Sequence, residues 1–260
     1  MSASISQPER ARNPSAVVSH VFPSADLLPE NLLKFYLHFS APMSGGHSYD
    51  YIHLLQENGA EVEYPFLRLD QELWNPVMTR LTLFVDPGRI KRGVQPNELM
   101  GPSITAGKRY TLLIDSDWKD STGTPLKESF RKVFQVGPPD RNPMNAAQWK
   151  IHSPKSGTVE TLKIQFPKPM DHALAQRVIG VETQAGARVE GRITLEDQER
   201  QWLFIPSKSW SKGPYQLKVQ TMIEDLAGNN IGKPFEVDIF NKIDRQDAQP
   251  TITLPFEVNR

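Results

Sequence analysis

Apolar residues recur at every second position along much of the chain. Phe35, Leu37 and Phe39 alternate with Tyr36 and His38, and Leu162, Ile164 and Phe166 alternate with Lys163 and Gln165. Tyr110, Leu112 and Ile114 repeat the pattern, as do Tyr215, Leu217 and Val219. A strand points successive side chains to opposite faces, so this period predicts half-buried antiparallel strands. They are expected near 17–22, 33–39, 50–56, 61–69, 80–85, 109–115 and 130–136, then near 149–153, 160–166, 177–182, 187–195, 201–205, 214–221 and 234–240. Glycine, proline and asparagine punctuate the runs at short intervals, which suits a sandwich of short strands. Helix is scarce: Asp171 can cap one turn through His172–Ala175.

The pattern occurs twice. Residues 35–66 align with 162–193 without a gap, matching Phe39 with Phe166, Pro42 with Pro169, Met43 with Met170 and Ile52 with Ile179. A later block matches Tyr110 with Tyr215, Asp120 with Asp225, Gly123 with Gly228 and Phe130 with Phe235. Repeats of this size predict two similar domains rather than a solenoid. The expected organisation is a disordered tail over 1–16, a first domain over 17–137, a proline-rich linker over 138–148, a second domain over 149–241 and a tail over 242–260. Two stretches of the first unit, near 73–79 and 94–108, have no counterpart and read as inserted loops. The longer one is expected to pack at the domain junction. In the tail, every second residue from Ile252 to Val258 is apolar, and Pro255 forbids a central position. Residues 251–258 are therefore expected to form an edge strand, paired within the chain or with a neighbouring molecule.

Composition narrows the chemistry. With 38% hydrophobic and 23% charged residues, the chain can bury a core. A net charge of zero argues against a dedicated nucleic-acid binder, which needs a basic face. The absence of cysteine removes disulfides and thiolate sites. No apolar run is long enough to cross a bilayer as a helix, so membrane insertion is not expected. The polar stretch Met1–Ser15 lacks the apolar core of a signal peptide. Either the protein is cytoplasmic or a targeting segment is missing from this chain.

Phe39-Ser40-Ala41-Pro42-Met43 and, later, Asp225-Leu226-Ala227-Gly228-Asn229 carry a family resemblance. This order of motifs resembles the bacterial Ig-like domains of S-layer and other surface proteins. Asp120-Ser121-Thr122-Gly123 matches the second motif in part, and Phe166-Pro167-Lys168-Pro169-Met170 departs from the first by a proline in place of serine. The resemblance implies an all-β fold of two tandem immunoglobulin-like β-sandwiches. It also implies an extracytoplasmic setting (periplasmic, cell-surface or secreted) and a structural role without a common active site. Fold-specifying chemistry accounts for the motifs: the aspartate accepts backbone N–H bonds in a turn and the glycine supplies positive φ.

Candidate binding residues lie in and near the insertions. Arg89, Lys91 and Arg92, with Glu98 and Trp74, could hold an anion or an acidic partner surface, or form a solvated basic turn. Asp115, Asp117 and Asp120 have a spacing suited to calcium but lack the full acidic pattern of an EF-hand loop. His47, Tyr49, Tyr51 and His53 alternate, and an aromatic face there could stack on sugar rings or cover a sheet. The two histidines are too far apart along a strand for one zinc ion. No nucleophile elbow, phosphate loop, zinc-protease helix or dinucleotide fingerprint occurs. No catalytic residue, cofactor or metal is expected. The reading is a non-catalytic structural or adhesive module. A protein- or cell-wall-glycan-binding module acting through the inserted loop or the junction is the alternative, and a sandwich hydrolase the least favoured.

Overall fold

The alternating segments become strands because each can turn its apolar set toward a second sheet. The computed structural model describes residues 14–90, 95–233, 235 and 250–260. In the first half, β1 (Val18–Phe22), β3 (Lys34–Phe39), β6 (Arg80–Phe84) and β5 (Leu73–Trp74) form one sheet in the order β1-β3-β6-β5. It faces a second sheet, β2-β8-β7-β4, built from β2 (Leu27–Pro29), β4 (Ile52–Gln56), β7 (Arg109–Ile114) and β8 (Phe130–Gly137). Phe35, Leu37, Leu81 and Leu83 from the first sheet meet Leu54, Leu112, Ile114 and Phe134 from the second in one buried cluster.

The second half repeats this order. One sheet runs β9-β10-β13-β12, from β9 (Lys150–His152), β10 (Leu162–Gln165), β12 (Gly191–Glu196) and β13 (Gln201–Pro206). The other runs β11-β14-β15, from β11 (Ile179–Thr183), β14 (Gly213–Gln220) and β15 (Thr251–Val258). Leu37 faces Leu81 across the first sheet as Ile164 faces Trp202 across its counterpart. The chain is thus all-β, two immunoglobulin-like sandwiches in tandem. Trp118, Trp149, Trp202 and Trp210 are buried, and half-buried Trp74 packs its ring against Phe39 and Trp118.

The repeated motifs meet in space. Met43 bridges Asp120 and Met170 bridges Asp225, so each Pro-Met corner is paired with the aspartate turn of its own half. Both methionines are buried beneath these turns. Gly123 and Gly228 take φ of +84° and +80°, as the turn requires.

Several expected elements differ. β15 occupies the ladder position beside β14 that β8 holds beside β7, with Tyr215 opposite Phe256 as Tyr110 is opposite Phe134. The tail strand is therefore integral to the second core, to which it adds Phe256 and Val258. Of the expected strand 234–240, only Phe235 lies within the described residues, and it packs against the first core. Residues 61–69 are not a strand. They form a strap tied at the Leu55–Glu61 and Phe66–Val85 bridges, with Tyr64 at φ +46°. The alternation at 47–53 breaks at a 3-10 turn over Ser48–Asp50, so Tyr51 stacks on Trp118 while the strand begins at Ile52.

Two short helices mark this region: α1 (Pro87–Ile90) lies just before the longer insertion and α2 (Gln95–Met100) lies within it. Asp86 and Pro87 signal the first: the carboxylate accepts the Gly88 N–H at 2.8 Å, and proline suits a first helical turn. α3 (His172–Val178) follows Asp171, whose Oδ1 accepts the Leu174 N–H at 2.8 Å as a helix cap.

Candidate functional site

The densest ionisable chemistry lies where the two sandwiches meet, and β3 and α3 face each other there. Lys34 and Tyr36 alternate with the core residues Phe35 and Leu37, so they project from the outer face of β3 toward the second half. The Tyr36 hydroxyl donates to Asp171, with both carboxylate oxygens at 2.9 Å. Lys34 Nζ lies 2.6 Å from Glu224 and 3.2 Å from Asp171. Burial, then the Asp171 charge, pushes the Tyr36 hydroxyl pKa well up, and burial also raises Glu224. Asp171 therefore serves three groups: the α3 backbone, Tyr36 and Lys34.

A second contact comes from the β12–β13 turn. Asp197, Gln198 and Glu199 all take positive φ, between +50° and +61°, and the last of them points into the first sandwich. Glu199 is 2% exposed and accepts from the Ser24 hydroxyl at 2.6 Å and the Ser24 N–H at 2.9 Å. Burial raises its pKa against those hydrogen bonds and the nearby Lys132 charge. Beside it the His172 ring stacks on Phe22 at 3.4 Å between centroids and meets His38 edge-on at 6.2 Å. Burial, then His38, His20 and Arg80, pushes His172 down to about 4, so the ring is neutral at pH 7.

The Asp225 turn makes the third contact. Asp225 accepts from the Ala227 and Asn229 backbone N–H groups and from the Asn229 side chain, each at 2.9 Å. The tip docks on the first half: the Leu33 N–H donates to the Leu226 carbonyl at 2.9 Å, and Leu226 joins the first core. A Cβ at Gly228 would lie 2.7 Å from Leu33 Cδ2, so a larger residue would displace the Leu33 side chain as well as strain a backbone at φ +80°. Asn31 and Asn229 both donate to the Asp140 carbonyl, at 2.8 and 3.1 Å. Lys168 Nζ reaches Asp225 at 2.5 Å, Asp140 at 2.7 Å and the Asn142 carbonyl at 2.9 Å. Those partners use all three of its donors. Its pKa is raised because the two carboxylates outweigh burial. The cavity beside it is about 220 Å³, below the roughly 300–1,000 Å³ of ligand pockets. This is the chemistry of a glued interface: the lysines, carboxylates and Tyr36 satisfy one another, whereas the buried His38 Nε2, Arg80 Nε and His172 Nδ1 find no hydrogen-bond partner among the described residues.

The residues singled out in the sequence lie elsewhere. Arg89 does not face solvent. It is 5% exposed, and its guanidinium donates to the carbonyls of Glu63, Gly101 and Pro102 at 2.6, 2.9 and 3.1 Å. That network ties the insertion to the strap of its own sandwich, while Ala106 N–H donates to Glu30 at 2.8 Å. Lys91 and Arg92 lie outside the described residues. Glu98 is exposed on α2, and the Trp74 indole donates to Glu72 at 2.8 Å. Asp120 Oδ1 is taken up by Thr122 and Thr124; burial pushes this carboxyl up, but the hydrogen bonds hold it low. Asp115 accepts the Asp117 N–H at 3.0 Å. Among the described residues no three histidine or acidic side chains are placed to share a metal ion. The junction set escaped sequence reading because its partners come from segments more than a hundred residues apart, such as Tyr36 and Asp171. The local signals were the Asp171 cap and the Asp225–Asn229 turn, and neither pointed to a junction.

No family model matches the chain, and no curated protein does. Solved structures give weak likenesses. Native alpha-2-macroglobulin from Escherichia coli (domains MG0-NIE-MG1) is 11% identical with a TM-score of 0.31, covering 94% of this chain and 72% of that one. The S-layer protein rSbsC is 10% identical with a TM-score of 0.32, covering 95% of this chain and 41% of that one. The N-terminal Ig1-2 module of the Drosophila receptor protein tyrosine phosphatase DLAR is 14% identical with a TM-score of 0.25, covering 79% and 92%. Likenesses this faint carry nothing about function.

Proposed function

We propose that this chain is a rigid spacer: a non-catalytic structural or adhesive module whose two sandwiches are locked into one body. The first unit covers 17–137, and the second starts at 149 and takes in β15. The motif resemblance supports a setting in an exported or cell-surface bacterial protein. The carrying observation is the buried Tyr36–Asp171–Lys34–Glu224 network across the junction. Buried ion pairs add little net stability over apolar packing, but removing one partner strands a charge at about 3–5 kcal/mol. Such a network favours one relative placement of the two bodies, because any other leaves these groups unpaired.

The reading is tested by small-angle X-ray scattering of the wild type and of Lys34→Glu, which gathers three carboxylates at the junction. The expected result is a larger radius of gyration for the variant with near-ultraviolet circular dichroism retained. Identical scattering curves from the two proteins would contradict the lock.

A further inference from the structure

A second concave site lies on the first sandwich, remote in character from the junction. It is a cleft of about 560 Å³ between the start of β4 and the strap 61–68, within the size range of ligand pockets. Ile52 and Phe66, both buried, belong to its lining, and Tyr49 and Tyr64 add aromatic surface. Tyr64 is 65% exposed and sits at φ +46°. A bulky side chain in the left-handed region is unfavourable, and such strain persists only where the surroundings over-determine it. Here they do: Arg89 holds the Glu63 carbonyl, the Ser103 hydroxyl donates to the Pro65 carbonyl at 3.1 Å, and the Asp86 N–H donates to the same carbonyl at 3.0 Å. The longer insertion thus braces the strap that presents Tyr64.

The polar lining decides the ligand class. Asp50 and Glu61 expose 62% and 59% of their side chains, and Glu63 is exposed beside them. The donors opposite are Arg68, whose guanidinium lies 5.8 Å over the Tyr49 ring, and His53, 2.8 Å from Glu61. Three carboxylates against one guanidinium disfavour a phosphate, sulfate or uronate. Aromatic faces combined with acceptors and a few donors suit a ring with C–H faces and hydroxyl edges: the faces pack on tyrosine and the hydroxyls donate to carboxylates. We infer that this cleft binds an uncharged saccharide chain, with Tyr64 as the stacking platform and Glu61 and Glu63 as hydroxyl acceptors.

The test is affinity electrophoresis in gels cast with soluble starch, galactomannan, cereal β-glucan or hydroxyethylcellulose, with a parallel gel containing polylysine. The wild type is expected to be retarded by at least one neutral polymer, with little change on adding salt. Tyr64→Gly is the decisive variant, since glycine accepts this backbone conformation freely and removes only the ring. It should lose at least tenfold in affinity while melting within a few degrees of the wild type. Glu63→Gln should weaken retardation in the same gel. No retardation by any neutral polymer, retardation by polylysine alone, or a Tyr64→Gly protein that binds like the wild type would each overturn the inference.

Discussion

Single residues here are decided by partners that arrive from far along the chain. Arg89 shows the limit of reading a side chain from its neighbours: a basic turn looks like an anion site, yet the guanidinium is spent on carbonyls from 63 and 101–102. Gly228 was legible as a turn residue but not as a docking residue, because Leu33 is what crowds it. His172 gave no signal in the sequence. Its neutral form is favoured by the fold, with the pKa lowered from 6.5 to about 4. The stability this confers is present in full above pH 6.5 and is lost as pH falls from there toward 4, up to about 3 kcal/mol at 1.36 kcal/mol per unit. Glu199 and Glu224, with values raised by burial, pull the other way as pH falls toward the ordinary carboxylate range. Replacing His172 with phenylalanine keeps the stack on Phe22 and removes the titration, together with an exposed 2.7 Å hydrogen bond to Gln176, which does not titrate. Thermal melts at pH 7 and pH 5 should then show a smaller acid-induced drop for His172→Phe than for the wild type. Equal drops would mean that this ring contributes nothing to the pH dependence.

At the level of elements, alternation and turn chemistry located most strands to within a residue or two, since both signals are local. The misses have long-range causes. The strap at 61–69 has a strand-like composition, but the inserted loop pulls Tyr64 out of the extended region. β2 pairs parallel to β8 through only Leu27–Pro29, too short to show a period. That 251–258 pairs within its own chain and not with a neighbouring molecule needed the β14 register. β15 tolerates Pro255 as the edge of a three-stranded sheet. Phe256 and Val258 are both buried, and each apolar side chain of this kind contributes about 1.5–3 kcal/mol. Against a net stability of roughly 5–15 kcal/mol, losing both together with the β14 ladder is decisive. Truncation after residue 249 should therefore abolish the near-ultraviolet signal of Trp202 and Trp210. A truncated protein that retains that signal and unfolds cooperatively would show β15 to be dispensable.

For the whole molecule, the two-sandwich architecture was legible because it is written twice, in matching motifs at matching places. What joins the halves was not, because Tyr36, Asp171, Glu199 and Lys168 come from separate segments and gain meaning only once the sandwiches meet. The resulting arrangement separates two tasks. The junction buries its lysine, tyrosine and carboxylate groups against one another, while the cleft beneath the strap leaves Tyr64 and its carboxylates open to solvent. Rigidity is the claim on which the spacer reading stands. The most direct measurement is of residual dipolar couplings for backbone amides in weakly aligned, isotopically labelled protein, fitted separately for 17–137 and for 149–258. One body predicts a single alignment tensor, equal in magnitude and orientation for the two sets. Two tensors of different magnitude would show the sandwiches moving independently and would contradict the account.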